Sequence, residues 1–148
     1  MQDYRHLLVA LDLTPQSKLI AQRAVDIGRH YQAKISLLHV VEYVPIDVLD
    51  PSGDGLLPMT LSVEQDLADI AQQRLQALAQ ELGLQDSACI IGAGAIKAEI
   101  LRCAAEREVD LIVLGHHERH GLAMFSSGTE SAVLYSAPCD LLAINLPS

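Results

Sequence analysis

Four aliphatic residues in succession, Leu111 to Leu114, followed directly by Gly115, constrain the fold of this chain more than any other segment. A run that is apolar at every position, rather than at alternate positions, is typical of a strand with both faces covered. Parallel sheets flanked by helices bury their strands in this way, so the run predicts an α/β protein. Because glycine tolerates a positive φ, we predict that Gly115 ends this strand.

Four further aliphatic segments are predicted to be strands. They cover residues 5–11, 34–41, 87–91 and 140–146. Amphipathic segments with helical spacing separate most of them. The order β-α-β-loop-α-β-α-β-α-β predicts a doubly wound, five-stranded parallel sheet with helices on both faces, because right-handed crossovers place them there.

The first helix is expected to begin at Thr14 as N-cap, with Pro15 at the first helical position. Its inward face is predicted from apolar residues at helical spacing, which are Leu19, Ile20, Ala24, Ile27 and Tyr31.

Residues 42–61 carry three prolines and two glycines, and we predict an irregular, functional loop there. Ser62 with Gln65 resembles a capping box that opens the second helix, and Gly83 is expected to end it. The remaining predicted helices are 96–107 and a short one at 131–136.

Composition limits the function. The 148 residues predict one domain, 1–148, and the net charge of −9 disfavours binding to nucleic acid. Three widely spaced cysteines indicate reduced thiols rather than disulfides. No apolar run reaches the roughly 20 residues of a membrane span, and no signal peptide is evident. We therefore expect a cytoplasmic protein without membrane insertion.

Motifs for catalysis or metal binding are weak. His116, His117 and His120 form a cluster, but adjacent histidines diverge, and no metal site is predicted. Gly92 and Gly94 only superficially echo a dinucleotide fingerprint. The sequence offers no nucleophile with an adjacent base, so we predict no catalytic residue.

Ligands of doubly wound sheets bind beyond the carboxyl ends of the strands, where Asp12, Val40/Val41 and Gly115 are predicted to lie. Asp12 would accept a hydrogen bond from a ribose hydroxyl or, equally well, cap the turn into the first helix. Val40 would offer its backbone groups to the edge of the adenine ring, or its side chain would be only part of the core. Leu114 is likewise a core residue unless its backbone faces the ligand. Gly128 and Thr129 open the helix at 131–136, where unpaired N–H groups attract phosphate, although both residues also suit a plain helix start.

Several segments together resemble the universal stress protein family over essentially the whole chain. They are Val9 to Asp12, Leu37 to Val40, Asp110 to Gly115 and Ala137 to Ile144. The nucleotide-binding branch of that family carries the signature Gly-x2-Gly-x9-Gly-(Ser/Thr). Gly115, Glu118, Gly128 and Thr129 match this spacing, with Glu118 in place of the second glycine.

The resemblance implies a Rossmann-like sheet of the adenine-nucleotide alpha-hydrolase type and a stress-response regulator. It implies a homodimer that pairs through the last strand, 140–146, with protein partners still to be named. ATP, with Mg²⁺ accompanying it, is the implied ligand. The implied binding residues are Ala10, Leu11, Asp12, Val40, Leu114, Gly115, Glu118, Arg119, Gly128, Thr129 and Glu130.

Glu118 also supports an alternative. Gly115-His116-His117 followed by a polar residue resembles the universal stress protein A branch, which is thought not to hold ATP. A carboxylate ~5 Å from a phosphate costs on the order of 1–3 kcal/mol, which Arg119 and His120 would offset if they turn inward. The alternative is an interaction module with a vestigial pocket. Slow ATP hydrolysis is a third hypothesis, for which the sequence nominates no residue.

Overall fold

The computed structural model describes residues 3–42, 56–117 and 136–146. Within 56–117 it describes the side chains of residues 65–116. These ranges contain five strands and three helices. The strands are β1 (His6–Ala10), β2 (Lys34–Val41), β3 (Ala88–Ala93), β4 (Leu111–His117) and β5 (Asp140–Leu146). The helices are α1 (Ser17–Tyr31), α2 (Leu56–Glu81) and α3 (Ile96–Glu106).

The sheet has the strand order β3-β2-β1-β4-β5, and every pair is parallel. Side chains of β1 alternate between two cores, with Leu7 and Val9 in one and Leu8 in the other. The first core packs against α1 and α2, and the second packs against α3. This architecture confirms the predicted doubly wound sheet. None of the helices within the described ranges combines the length and apolar character needed to cross a membrane.

The start of α1 differs from the prediction. The helix begins at Ser17, and its N-cap position is Gln16, which makes no side-chain capping bond. Thr14 is not the N-cap, because its hydroxyl donates to the Asp12 carboxylate within the preceding turn. The predicted inward face is also wrong at Leu19, whose side chain is 44% exposed, whereas Ile20 is fully buried.

The long α2 corrects the predicted loop at 42–61. The helix begins at Leu56, so Pro58 is its third residue and Ser62 lies inside it rather than at a cap. Proline is compatible with the first turn of a helix, because the N–H it lacks would have no helical acceptor there. Residues 43–55 lie outside the described ranges. Gly83 follows the helix with φ of 73°, which confirms the predicted ending.

Gly115 does not end β4, contrary to the prediction, because the strand continues to His117. Among the described residues the glycines with positive φ are Gly83 and Gly94. A Cβ added at Gly115 would lie 2.7 Å from the Cδ1 atoms of both Ile20 and Leu146. The glycine is therefore required for close packing of α1 and β5 on β4.

A buried histidine joins three segments at the amino ends of the strands. His6 is 8% exposed, its Nδ1 lies 3.0 Å from the Arg107 carbonyl, and its Nε2 lies 2.7 Å from the Ser36 hydroxyl. Since a carbonyl only accepts, Nδ1 carries the proton and Nε2 accepts from Ser36. Burial lowers the pKa of His6 below its ordinary value of 6.5. The neutral imidazole is thus the form that the fold stabilises.

We expect the free energy of unfolding to fall as the pH drops from 7 towards 5. The folded-state pKa of His6 lies below the unfolded value of about 6.5, so its contribution is complete above pH 6.5 and is lost as pH decreases through that value. Urea unfolding at several pH values measures this dependence. His6→Gln should flatten it, whereas His30→Gln at an exposed position should not. Equal slopes in the wild type and His6→Gln would contradict the assignment.

Candidate functional site

The carboxyl ends of β1, β2 and β4 lie side by side in the middle of the sheet. The strand order reverses at β1, because β2 follows on one side of it and β4 lies on the other. This is the switch point at which doubly wound sheets bind their ligands. Asp12, Val40 and Gly115 all lie near the carboxyl ends of these strands, as the sequence predicted.

Asp12 organises the turn that leaves β1. Its Oδ1 accepts from the Thr14 N–H at 3.1 Å, the Thr14 hydroxyl at 2.8 Å and the Ser17 hydroxyl at 3.1 Å. Three donors on one oxygen hold the half-buried carboxylate in place and tie the strand to the first turn of α1. Of the two roles considered for Asp12, capping the turn is therefore the one that the structure contains.

The residue after Asp12 has a backbone conformation that is costly for a side chain. Leu13 has φ of 60°, in the left-handed region, at a cost on the order of 1–2 kcal/mol. Its carbonyl accepts from the Arg74 guanidinium of α2 at 3.1 Å. The turn is thus fixed from both sides, by Asp12 within it and by α2 from outside.

The backbone of Val40 faces the space beyond β1. Polar groups of successive residues in a strand point alternately to its two neighbours. The Leu38 carbonyl, on the β1 side, accepts from the Leu11 N–H at 2.8 Å, and the Val41 carbonyl, on the β3 side, accepts from the Gly94 N–H at 3.0 Å. Val40 has the same orientation as Leu38, and β1 ends before reaching it. Its N–H and C=O are therefore directed into the crevice.

The other described binding candidates have buried side chains. Ala10, Leu11, Val40 and Leu114 are all at most 2% exposed and belong to the two cores. Only their backbone groups could contact a ligand. The structure thus supports the alternative that these side chains are core, and it leaves the backbone role open at Val40.

The phosphate half of the predicted site lies outside the described residues. This applies to the remaining binding candidates, which are Glu118, Arg119, Gly128, Thr129 and Glu130, and to residues 131–135 of the predicted helix. Their contribution stays a prediction from the sequence.

A different hollow lies at the opposite end of the strands, beside the amino ends of β1, β4 and β5. It has a volume of about 300 Å³ and is lined by Asp3, Asp110 and Asp140 together with Tyr4 and Cys139. The Tyr4 hydroxyl donates to Asp140 at 2.9 Å, and this bond raises the pKa of Tyr4. Three carboxylates around one hollow repel an anionic ligand, so it does not suit a nucleotide phosphate.

The cysteines do not provide a nucleophile. Cys103 is buried, whereas Cys89 and Cys139 are half-buried, and none of the three forms a disulfide. Burial raises the pKa of all three thiols. Since the thiolate is the reactive form, the raised pKa lowers the reactivity of these side chains at neutral pH.

Comparison with known sequences decides the family. The sequence model of the universal stress protein family matches residues 3–145. The chain belongs to the universal stress protein family. It is 32% identical to universal stress protein A homolog 2 of Coxiella burnetii over 148 residues, which cover 99% of this chain and 98% of that protein.

Solved structures of universal stress proteins share the fold. Universal stress protein UspA from Lactobacillus plantarum is 27% identical and superposes with a TM-score of 0.69 over 97% of this chain and 99% of its own. A universal stress protein crystallised in complex with cAMP is 20% identical, with a TM-score of 0.59 over 97% of this chain and 98% of its own. At that identity the second comparison supports the fold alone.

Two residues of this universal stress protein acquire importance only in the structure. The ring of His39 contacts the Leu11 carbonyl at 2.8 Å, and Arg74 holds the Leu13 carbonyl. A signal for His39 exists in the sequence, because it is a polar residue near the carboxyl end of an aliphatic strand. Arg74 has no such signal, since its acceptor lies 61 residues earlier.

Proposed function

We propose that this universal stress protein is a stress-response regulator that binds an adenine nucleotide in the crevice at the carboxyl ends of β1, β2 and β4. The observation that carries the proposal is the orientation of Val40. Its backbone donor and acceptor point past the end of β1 at the switch point of the sheet. An adjacent N–H and C=O complement the edge of adenine, which offers an acceptor at N1 and a donor at N6.

Each moiety of the nucleotide has an assigned contact. Val40 reads the base, and Asp12 contacts the ribose through Oδ2, because Oδ1 already accepts three hydrogen bonds. Gly128 and Thr129 bind the phosphates of ATP through backbone N–H groups and the Thr129 hydroxyl, and Mg²⁺ enters with those phosphates. The universal stress protein solved with cAMP supports a nucleotide as the ligand class.

The regulatory output of binding is a change of surface. Residues 116–127 run from the last two residues of β4 to the proposed phosphate contacts, so an occupied crevice changes what they present to a protein partner. Hydrolysis is not part of the proposal, because the sequence nominates no residue for it.

The proposed assembly is a cytoplasmic homodimer formed through β5. Among the described strands β5 lies at an edge of the sheet, paired only with β4, and its Leu141 and Leu142 remain half-buried in one chain. Exposed edge strands of apolar character promote pairing with another chain. A second copy would continue the sheet across a two-fold axis.

Calorimetric and thermal titration with Mg·ATP tests the proposal. A Kd of about 100 µM corresponds to about 1.4 kcal/mol of stabilisation at 1 mM ligand, hence a rise in Tm of about 3–6 °C. GTP should bind more weakly, because guanine reverses the donor and acceptor that face Val40. Absence of a shift at millimolar ATP would overturn nucleotide binding.

Sedimentation of the same sample should give twice the 16.0 kDa of one chain, and a monomer would contradict the dimer.

A second candidate function is an interaction module without a nucleotide. Two observations favour it: the relatives named universal stress protein A at 27–32% identity, and Glu118 at the position of a signature glycine. In that case the crevice is vestigial and the partner protein is recognised directly.

A further inference from the structure

The Leu11 carbonyl, at the end of β1, is bound by a side chain rather than by the neighbouring strand. Nδ1 of His39 lies 2.8 Å from it. Because a carbonyl has no proton to give, Nδ1 is the donor. His39 is half-buried near the carboxyl end of β2, on the same face of the sheet as Leu37.

The regular ladder would use that carbonyl differently. In a parallel pair, the Leu11 N–H donates to Leu38, and the Leu11 carbonyl would next accept from the N–H of Val40. Among the described residues the backbone bonds between these strands stop at Leu11 to Leu38. The imidazole approaches from one face of the sheet and binds the acceptor that Val40 would use in a continued ladder.

We propose that His39 is a positioning residue for the base. By holding the Leu11 carbonyl, it ends the pairing of β1 and β2 one bond early and leaves the N–H of Val40 available to the N1 atom of adenine. The inference rests on the proposed function, because it assigns the base contact to Val40. It adds a cause for the selectivity: without His39, the backbone donor that distinguishes adenine from guanine is consumed by β1.

Two substitutions separate the donor from the shape of the ring. His39→Phe retains a planar ring without a donor, and His39→Asn places an amide N–H close to the position of Nδ1. His39→Leu is a second variant without a donor, should the phenylalanine fail to fit. The first measurement is amide hydrogen exchange at Val40 by NMR, in protein without nucleotide. We expect exchange at least tenfold slower in His39→Phe than in the wild type, and close to wild type in His39→Asn.

The second measurement is the affinity of each variant for Mg·ATP and for Mg·tripolyphosphate, which has no base. In His39→Phe we expect about tenfold weaker ATP binding and unchanged tripolyphosphate binding, with His39→Asn close to wild type. Equal losses for both ligands would overturn a role in reading the base. Unchanged exchange at Val40 in both donor-free variants would overturn the inference altogether. If the wild type binds no ATP, the proposed function fails and base reading with it, whereas the exchange rates still decide whether His39 ends the ladder.

Discussion

Replacing Gly115 by valine is expected to lower the free energy of unfolding by about 3 kcal/mol, in the range of overpacked cores. The first added carbon alone would lie 2.7 Å from the Cδ1 atoms of Ile20 and Leu146, against about 3.5–4.0 Å for a relaxed carbon contact. Both neighbours are buried and have little room to move, at 0% and 3% exposure. Thermal unfolding should show a Tm lower by about 6–12 °C.

A matched set of variants tests whether the contact with Ile20 is responsible. Ile20→Val removes the Cδ1 atom that a side chain at position 115 would meet, at a cost of about 1 kcal/mol by itself. Gly115→Ala should therefore cost less in the Ile20→Val background than in the wild type, by about 0.5 kcal/mol or more. Ala93→Val, at an exposed strand position, controls for adding valine to the sheet. Additive effects of the two substitutions would refute the contact.

The second large expected effect concerns ligand affinity. Glu118→Gly should tighten ATP binding ten- to hundredfold, because a carboxylate ~5 Å from a phosphate costs on the order of 1–3 kcal/mol. Glycine at this position also restores the signature and lets the backbone approach the phosphate. Isothermal calorimetry with Mg·ATP measures the change.

Glu118→Gln is the control that separates charge from shape, because it removes the charge and keeps the side chain. If Glu118→Gln raises the ATP affinity as much as Glu118→Gly does, the effect comes from charge repulsion. If only Glu118→Gly raises the affinity, the effect comes from the closer approach of the backbone. No gain in either variant would contradict the nucleotide proposal at this position. It would favour the interaction module, in which the segment after β4 has another shape.

Much of the fold was predictable from local patterns. The aliphatic runs placed β2 at 34–41 and β5 at 140–146, with the bounds that the structure has. The helix predicted at 96–107 is α3, in which Ile96, Ile100 and Cys103 are buried. Such patterns succeed because both faces of the sheet must be covered, which forces aliphatic residues into every strand.

Helix starts were less predictable, because the signals there compete. Thr14 and Pro15 have the chemistry of a helix start, yet the Asp12 carboxylate takes the Thr14 hydroxyl and α1 begins at Ser17. In α2, Pro58 read as a loop residue although the first turn of a helix accepts it. In both cases the local residue type allowed two conformations, and residue type alone did not select between them.

The candidate site was predictable in location but not in its working parts. The predicted strand order placed Asp12, Val40 and Gly115 together at the carboxyl ends of the strands, and the structure confirms this placement. The sequence left two roles open for Asp12, of which the turn is the one found, and it did not reveal that the Leu11 carbonyl would bind His39. The bond to His39 depends on how far β1 runs beside β2, which no single segment encodes.

The sequence by itself determined the class of protein: aliphatic strands alternating with amphipathic helices specify a parallel α/β sheet, and its motif residues indicate the family. Only the tertiary structure showed that the packing around position 115 requires a glycine, and which backbone groups of the described strands are left without a partner in the sheet and so can bind a ligand. The reason is physical. Periodicity reports which face of a segment is buried, whereas the contacts that a side chain at position 115 would make with Ile20 and Leu146, or the bond from His39 to the Leu11 carbonyl, exist only once distant segments are packed together.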